Sequence, residues 1–181
     1  MKKIFVILLG LFCFCFLTGM ASLNNYSPEI TAAYEQLKID LQQKGVELSQ
    51  ITDSAKSMKD MLMQGVKKDD LKKYVLDLYH KKIDEASLKS SLDSTSKLMK
   101  DGESFKEAKS YITKVLQDAK AKGLQGEELN DKIRDAFNQK QDELEQLQKE
   151  AYDKGRQMKE DAAKNLNDLQ NKSVKDLMSG K

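Results

Sequence analysis

Tryptophan is missing from this sequence, proline occurs once, at Pro28, and histidine once, at His80. The only two cysteines, Cys13 and Cys15, lie within the first fifteen residues. Beyond them the chain cannot build a disulfide, a zinc–thiolate site or a cysteine nucleophile, and a lone histidine cannot be completed by a second one. No glycine-rich phosphate loop, no G-x-S-x-G and no H-E-x-x-H is present. A long apolar run is lacking too. The one from Ile4 to Leu17 falls short of the roughly 20 residues a membrane-spanning helix needs.

That run has its own explanation. "MKKIFVILLGLFCFCFLTGMA" joins two lysines, an apolar stretch and small residues at Gly19 and Ala21, the anatomy of a cleaved export signal over residues 1–21. Retention as an N-terminal membrane anchor is the minor alternative. Neither cysteine suits a lipoprotein acceptor, because each follows a phenylalanine deep inside the apolar run. With Lys2 and Lys3 set aside, 29 of the 31 basic residues remain to balance 29 acidic ones. The mature chain is formally neutral with its charges interspersed, which argues against nucleic acid as a partner. A lysine-led signal of this kind points to a bacterial source and a periplasmic or secreted location.

What remains is helical in its spacing throughout, and no period-two alternation is sustained. The expected fold class is all-α: elongated helical hairpins forming a coiled-coil-like bundle with a long C-terminal helix. Aromatic side chains are few after residue 21, which favours an elongated assembly over a deep core. Ser27-Pro28-Glu29 reads as a helix start, giving an N-terminal helix within residues 22–46 that ends near Gly45. Leu48, Ile51, Ala55, Met58 and Leu62 then recur at intervals of three and four, a narrow seam. Phe105, Ala108, Ile112, Val115 and Ala119 repeat it, behind the capping-box spacing of Ser104 and Glu107. Between the seams, a helix from Asp69 or Asp70 is expected to run through the serine-rich "SLKSSLDSTSK" to Met99. From Glu127 to Met178 one long helix is expected, with Gly155 its single weak point.

Two phrases in the chain match. "GVKKDDLKKYVLDLY" from Gly65 and "GLQGEELNDKIRDAF" from Gly123 share glycine, an apolar residue, paired acids and the apolar positions that follow, 58 residues apart. Each reads as a helical corner, with a glycine in the left-handed cap conformation and acids opening the next helix. Lys82, Asp84 and Glu85 align with Lys140, Asp142 and Glu143 at the same offset, so residues 47–100 and 104–178 read as two related hairpins from an internal duplication.

The chemistry-bearing residues are sparse. Asp77, His80 and Asp84 share one helical face, yet an exposed imidazole among solvated charges accounts for them. The acid pairs Asp69–Asp70 and Glu127–Glu128 serve as helix starts, since nothing in the sequence would desolvate one of them for acid–base work. No catalytic residue, metal, cofactor or small-molecule substrate is expected, and the chain reads as a non-enzyme.

A stripe is left over on the last helix. Leu147, Ala151, Met158, Ala162, Leu166 and Leu169 include pairs eleven residues apart, a spacing that holds one face on a nearly straight helix. The earlier helices are too short to cover all of it. Either it meets a partner, or it folds back on Leu129–Leu144 or the first helix as ordinary core. The surrounding "KEAYDKGRQMKEDAAKNLNDLQNK" resembles the eleven-residue patterns of lipid-surface and desiccation-protective helices. In size, export signal and helical content the whole chain resembles Skp-like periplasmic chaperones, which implies holding a client protein; it differs in lacking a strand-forming start and a basic balance. The function expected is thus an exported helical interaction protein of the envelope or secreted space that holds a protein partner or self-associates. The alternative is an amphipathic protein of the membrane surface.

Overall fold

The computed structural model describes residues 26–178, and every regular element among them is an α-helix. In chain order these are α1 (Pro28–Gln43), α2 (Leu48–Asp53), α3 (Ala55–Met63), α4 (Lys68–Tyr79), α5 (Glu85–Lys100), α6 (Phe105–Ala121) and α7 (Gly126–Met178). The segment read as an export signal lies outside the described residues.

The corner phrase turns out to be general. Gly45, Gly65, Gly102 and Gly123 all have positive φ, at 88°, 88°, 107° and 80°. At each, two backbone bonds close the preceding helix in the Schellman pattern; at Gly65 they run from its N–H to the Leu62 carbonyl (3.0 Å) and from the Val66 N–H to the Met61 carbonyl (3.1 Å). The next helix begins three residues after the glycine, with a side-chain cap at Ser104 but none at Glu47 or Lys67, and a core residue follows six positions after the glycine. Val46 with Ile51, Val66 with Leu71, and Leu124 with Leu129 thereby staple the chain on either side of the cap.

A fifth corner lacks the glycine and keeps only the shorter of the two closing bonds, from the Lys82 N–H to the Tyr79 carbonyl at 3.0 Å. Lys82 takes the left-handed position at φ 52°, Ile83 and Leu88 form the staple, and Asp84 caps α5 by accepting from the Ser87 N–H at 2.9 Å. The expected continuous helix from Asp69 to Met99 is therefore two helices. It also parts the 58-residue register past the corner: Lys82 and Asp84 sit in a turn, whereas Lys140 and Asp142 lie inside α7. The first seam is likewise two helices, bent at buried Ser54, and its Leu48 is exposed.

Against the expectation of narrow hairpin seams, α1 to α6 and the start of α7 close around a single core. Leu37, Leu41, Met58, Met61, Leu71, Leu78, Leu92, Leu98, Ile112 and Ile133 are wholly buried in it. The serine-rich α5 is its central helix and touches α2, α3, α4, α6 and α7. Small side chains make that possible, because neighbours can approach closely on several sides. The hydroxyls are largely satisfied within the helix or by neighbours: Ser91 donates to the Ser87 carbonyl (2.7 Å), Thr95 to the Ser91 carbonyl (2.8 Å), and Ser57 and Ser90 meet Asp93 and Asn130.

Asp60 fastens one side of this body. It accepts from the Tyr26 hydroxyl at 2.8 Å and from Lys100 at 2.7 Å, joining the chain before α1 to α3 and the end of α5. Burial, together with the bond and charge of Asp60, pushes the Tyr26 hydroxyl up to about 12.

Candidate functional site: the free face of the long helix

The root of α7 is built into the body. Leu129, Ile133 and Ala136 are buried, the Tyr111 hydroxyl donates to the Ala136 carbonyl at 2.9 Å, and Lys97 lies over the Phe137 ring at 5.4 Å. One ion pair closes the root. Lys140 meets Glu103 at 3.2 Å with both side chains largely covered; burial opposes the charge on Lys140, but the bonds to Glu103 outweigh it and hold the ammonium above its usual range. Leu144 still packs against the core. Gln148 then donates to the Asp101 carbonyl at 3.1 Å.

Beyond that bond the helix stands free. Leu147 is 59% exposed, Met158 73%, Leu166 59% and Leu169 65%, and Ala151 and Ala162 are exposed beside them. The fold-back alternative is thus overturned for these residues. At about 1.5 Å per residue, the stretch from Leu147 to Leu169 presents roughly 33 Å of apolar face.

That face is not a separate feature of the helix. Counting by eleven, which returns to within about 20° of the same direction on a 3.6-residue helix, three ladders run from the body into the arm. Leu129, Lys140, Ala151 and Ala162 form one; Ile133, Leu144, Gly155 and Leu166 the second; Ala136, Leu147, Met158 and Leu169 the third. Each begins with a residue buried in the body and ends exposed on the arm. One face is covered by the chain's own core at its base and by nothing at its tip.

The other sequence candidates are placed elsewhere. Gly65 and Gly123 are exposed corners with no structural tie to the arm's face. His80 is exposed, with its ring 5.9 Å from that of Tyr79, while Asp77 pairs with Lys109 at 3.3 Å and Asp84 is the α5 cap. No group of three or more potential metal ligands occurs among the described residues, and no helix among them is long and apolar enough to cross a membrane. Sequence reasoning took Gly155 as the weak point of a helix that in fact runs through it unbroken, not as a member of a ladder, and it missed the Tyr26–Asp60–Lys100 fastening, whose members are too far apart in sequence for spacing to reveal.

Comparison with known proteins finds no family model, no curated protein and no solved structure that matches this chain.

Proposed function

We propose that this is an exported, non-enzymatic interaction protein of the cell envelope or secreted space, with a helical body that carries α7 as a binding arm for a protein partner or a second copy. The observation that carries the reading is the continuity of the face: it is packed into the body at its base through Leu129, Ile133, Ala136 and Leu144, and it goes on presenting apolar side chains for another 33 Å or so where nothing in the described chain covers it. A holding, chaperone-like role suits an arm of this kind. The reading assigns no catalytic residue, cofactor, nucleic acid or small-molecule substrate.

An amphipathic arm that lies on a membrane surface is the second reading, favoured by the same exposed leucines. Charge weighs against it. From Glu145 to Lys164 the arm carries five basic residues, Lys149, Lys154, Arg156, Lys159 and Lys164, against five acidic ones, Glu145, Glu150, Asp153, Glu160 and Asp161. Lipid-surface helices are rich in basic residues on the polar face and carry bulky aromatics on the other.

Vesicle flotation beside light scattering, on the chain lacking residues 1–21, separates the two. The interaction reading expects the protein to remain below anionic vesicles and to scatter as an assembly. Flotation that disappears in Met158→Glu would replace it with the lipid reading. Intact mass from the native host tests export separately, with loss of residues 1–21 expected.

A further inference from the structure

We infer that Met158 is an oxidation site through which a peroxide oxidant silences the arm: conversion of its thioether to the sulfoxide removes the apolar centre of the α7 face. The loss of binding rests on the interaction reading above, whereas the oxidation and the loss of apolar face stand on the structure of the chain alone.

The first ground is which sulfur is available. Past Cys15 the chain holds no cysteine, and nowhere a tryptophan, so methionine is the most readily oxidised side chain of the body and arm. Exposure then selects among the methionines. Met58 and Met61 are wholly buried and Met99 is 9% exposed, whereas Met63 is 57% and Met158 73% exposed. A solvent-borne oxidant meets the last two directly, and close packing keeps it from the others.

What Met158 holds together sets it apart from Met63. Between Leu147 and Leu166, about 28 Å of helix, the ladder positions are Ala151, Gly155, Met158 and Ala162. Met158 alone among them is larger than alanine. It supplies most of the apolar area in that stretch, and a polar group placed there divides the face into two separated ends. Met63 is the last residue of α3, on the body and outside the ladders.

The step balances with the oxidant alone. One oxygen of hydrogen peroxide passes to the sulfur as the O–O bond breaks and an S–O bond forms; the sulfide loses two electrons and the other oxygen leaves as water. A flexible apolar side chain becomes a polar one with a strong hydrogen-bond acceptor. Lys154, four residues earlier on the same side of the helix, is placed to donate to that oxygen, and its present contact is marginal, 4.0 Å from Glu150. Sulfoxide reductase reverses the change.

Graded hydrogen peroxide treatment of the chain lacking residues 1–21, followed by peptide mass mapping, measures the selectivity. Met63 and Met158 are expected to gain one oxygen at least about tenfold faster than Met58 and Met61, whose oxidation must wait on opening of the body. Retention on a phenyl matrix reports the apolar face without any partner. Treated protein should elute earlier than untreated, Met63→Leu should behave in the same way, and Met158→Leu should keep its retention through the treatment. Light scattering should show assembly weakened about tenfold by treatment and spared in Met158→Leu. Oxidation of Met158 no faster than Met58, or unchanged retention with Met158 fully oxidised, would overturn the inference, as would assembly that survives that oxidation. A chain that does not assemble before treatment would tell against the interaction reading instead, with mass map and retention still deciding on Met158.

Discussion

Gln148 donates to the backbone carbonyl of Asp101 at 3.1 Å, while the side chain next to it, Leu147, is already mostly in solvent. The body therefore ends within one helical turn of α7. Ending the chain after Lys149 should leave the body's stability within about 0.5 kcal/mol of the full protein, because the removed side chains bury nothing in it. Urea unfolding followed by Tyr fluorescence measures this. Loss of the cooperative transition would mean the arm is part of the core.

The corners rest on backbone geometry and little else. A Cβ at Gly65 or Gly123 would meet nothing within 4 Å, so Gly65→Val and Gly123→Val should each cost about 1–2 kcal/mol, the left-handed backbone penalty without a clash. Lys82→Gly should act in the opposite direction, gaining up to about 1 kcal/mol by relieving a lysine held at φ 52°. Melting temperatures of the three variants check the signs.

At the centre of the body, Thr95 donates to the Ser91 carbonyl and so receives the hydrogen of Tyr74, whose ring is fully buried. Thr95→Val keeps the shape and strands that hydroxyl. A loss of about 1–3 kcal/mol is expected, most of it recovered in Tyr74→Phe/Thr95→Val, where neither polar group remains. A double-mutant cycle from urea unfolding would show the coupling.

Between α1 and α4, Asp40 takes a hydrogen bond from Gln36 and ion pairs from Lys72 (3.2 Å) and Lys68 (3.3 Å), which hold its carboxyl down at about 2. A depressed carboxyl stabilises the fold while ionised. Its contribution is present above the ordinary carboxylate range near 4 and is lost as pH falls from there toward 2. Asp40→Asn should therefore melt below the wild type at pH 7, with the difference closing by pH 2. An equal difference at both values would mean that the ion pairs contribute nothing.

Local signals in the sequence were faithful where a side chain acts on its own neighbours. Ser27 and Ser104 cap the helices they precede, Ser104 and Glu107 form the reciprocal box, and Gly65 and Gly123 are corners. Lys82 hid the equivalent corner because the left-handed position is there taken by a residue whose type does not announce it. The serines of α5 were the weakest helical signal and became the centre of the fold, since low propensity is outweighed when a narrow helix must be packed on several sides. Leu48 and Met158 each belong to an apolar series and both are exposed. Periodicity identifies a face without saying what covers it, and only the packed body shows that the face of α7 is covered at its base alone.

Sedimentation equilibrium of the chain lacking residues 1–21, beside the same chain with Met158→Glu and Leu166→Glu, with a melting curve for each, tests most directly whether the free face of α7 is an interface. The account predicts an assembly that dissociates on the double change, with the body's melting temperature unaltered, because a charge on a desolvated contact is costly and on a solvated arm is not. Identical sedimentation of the two proteins, or a fall in melting temperature with loss of helicity, would contradict it.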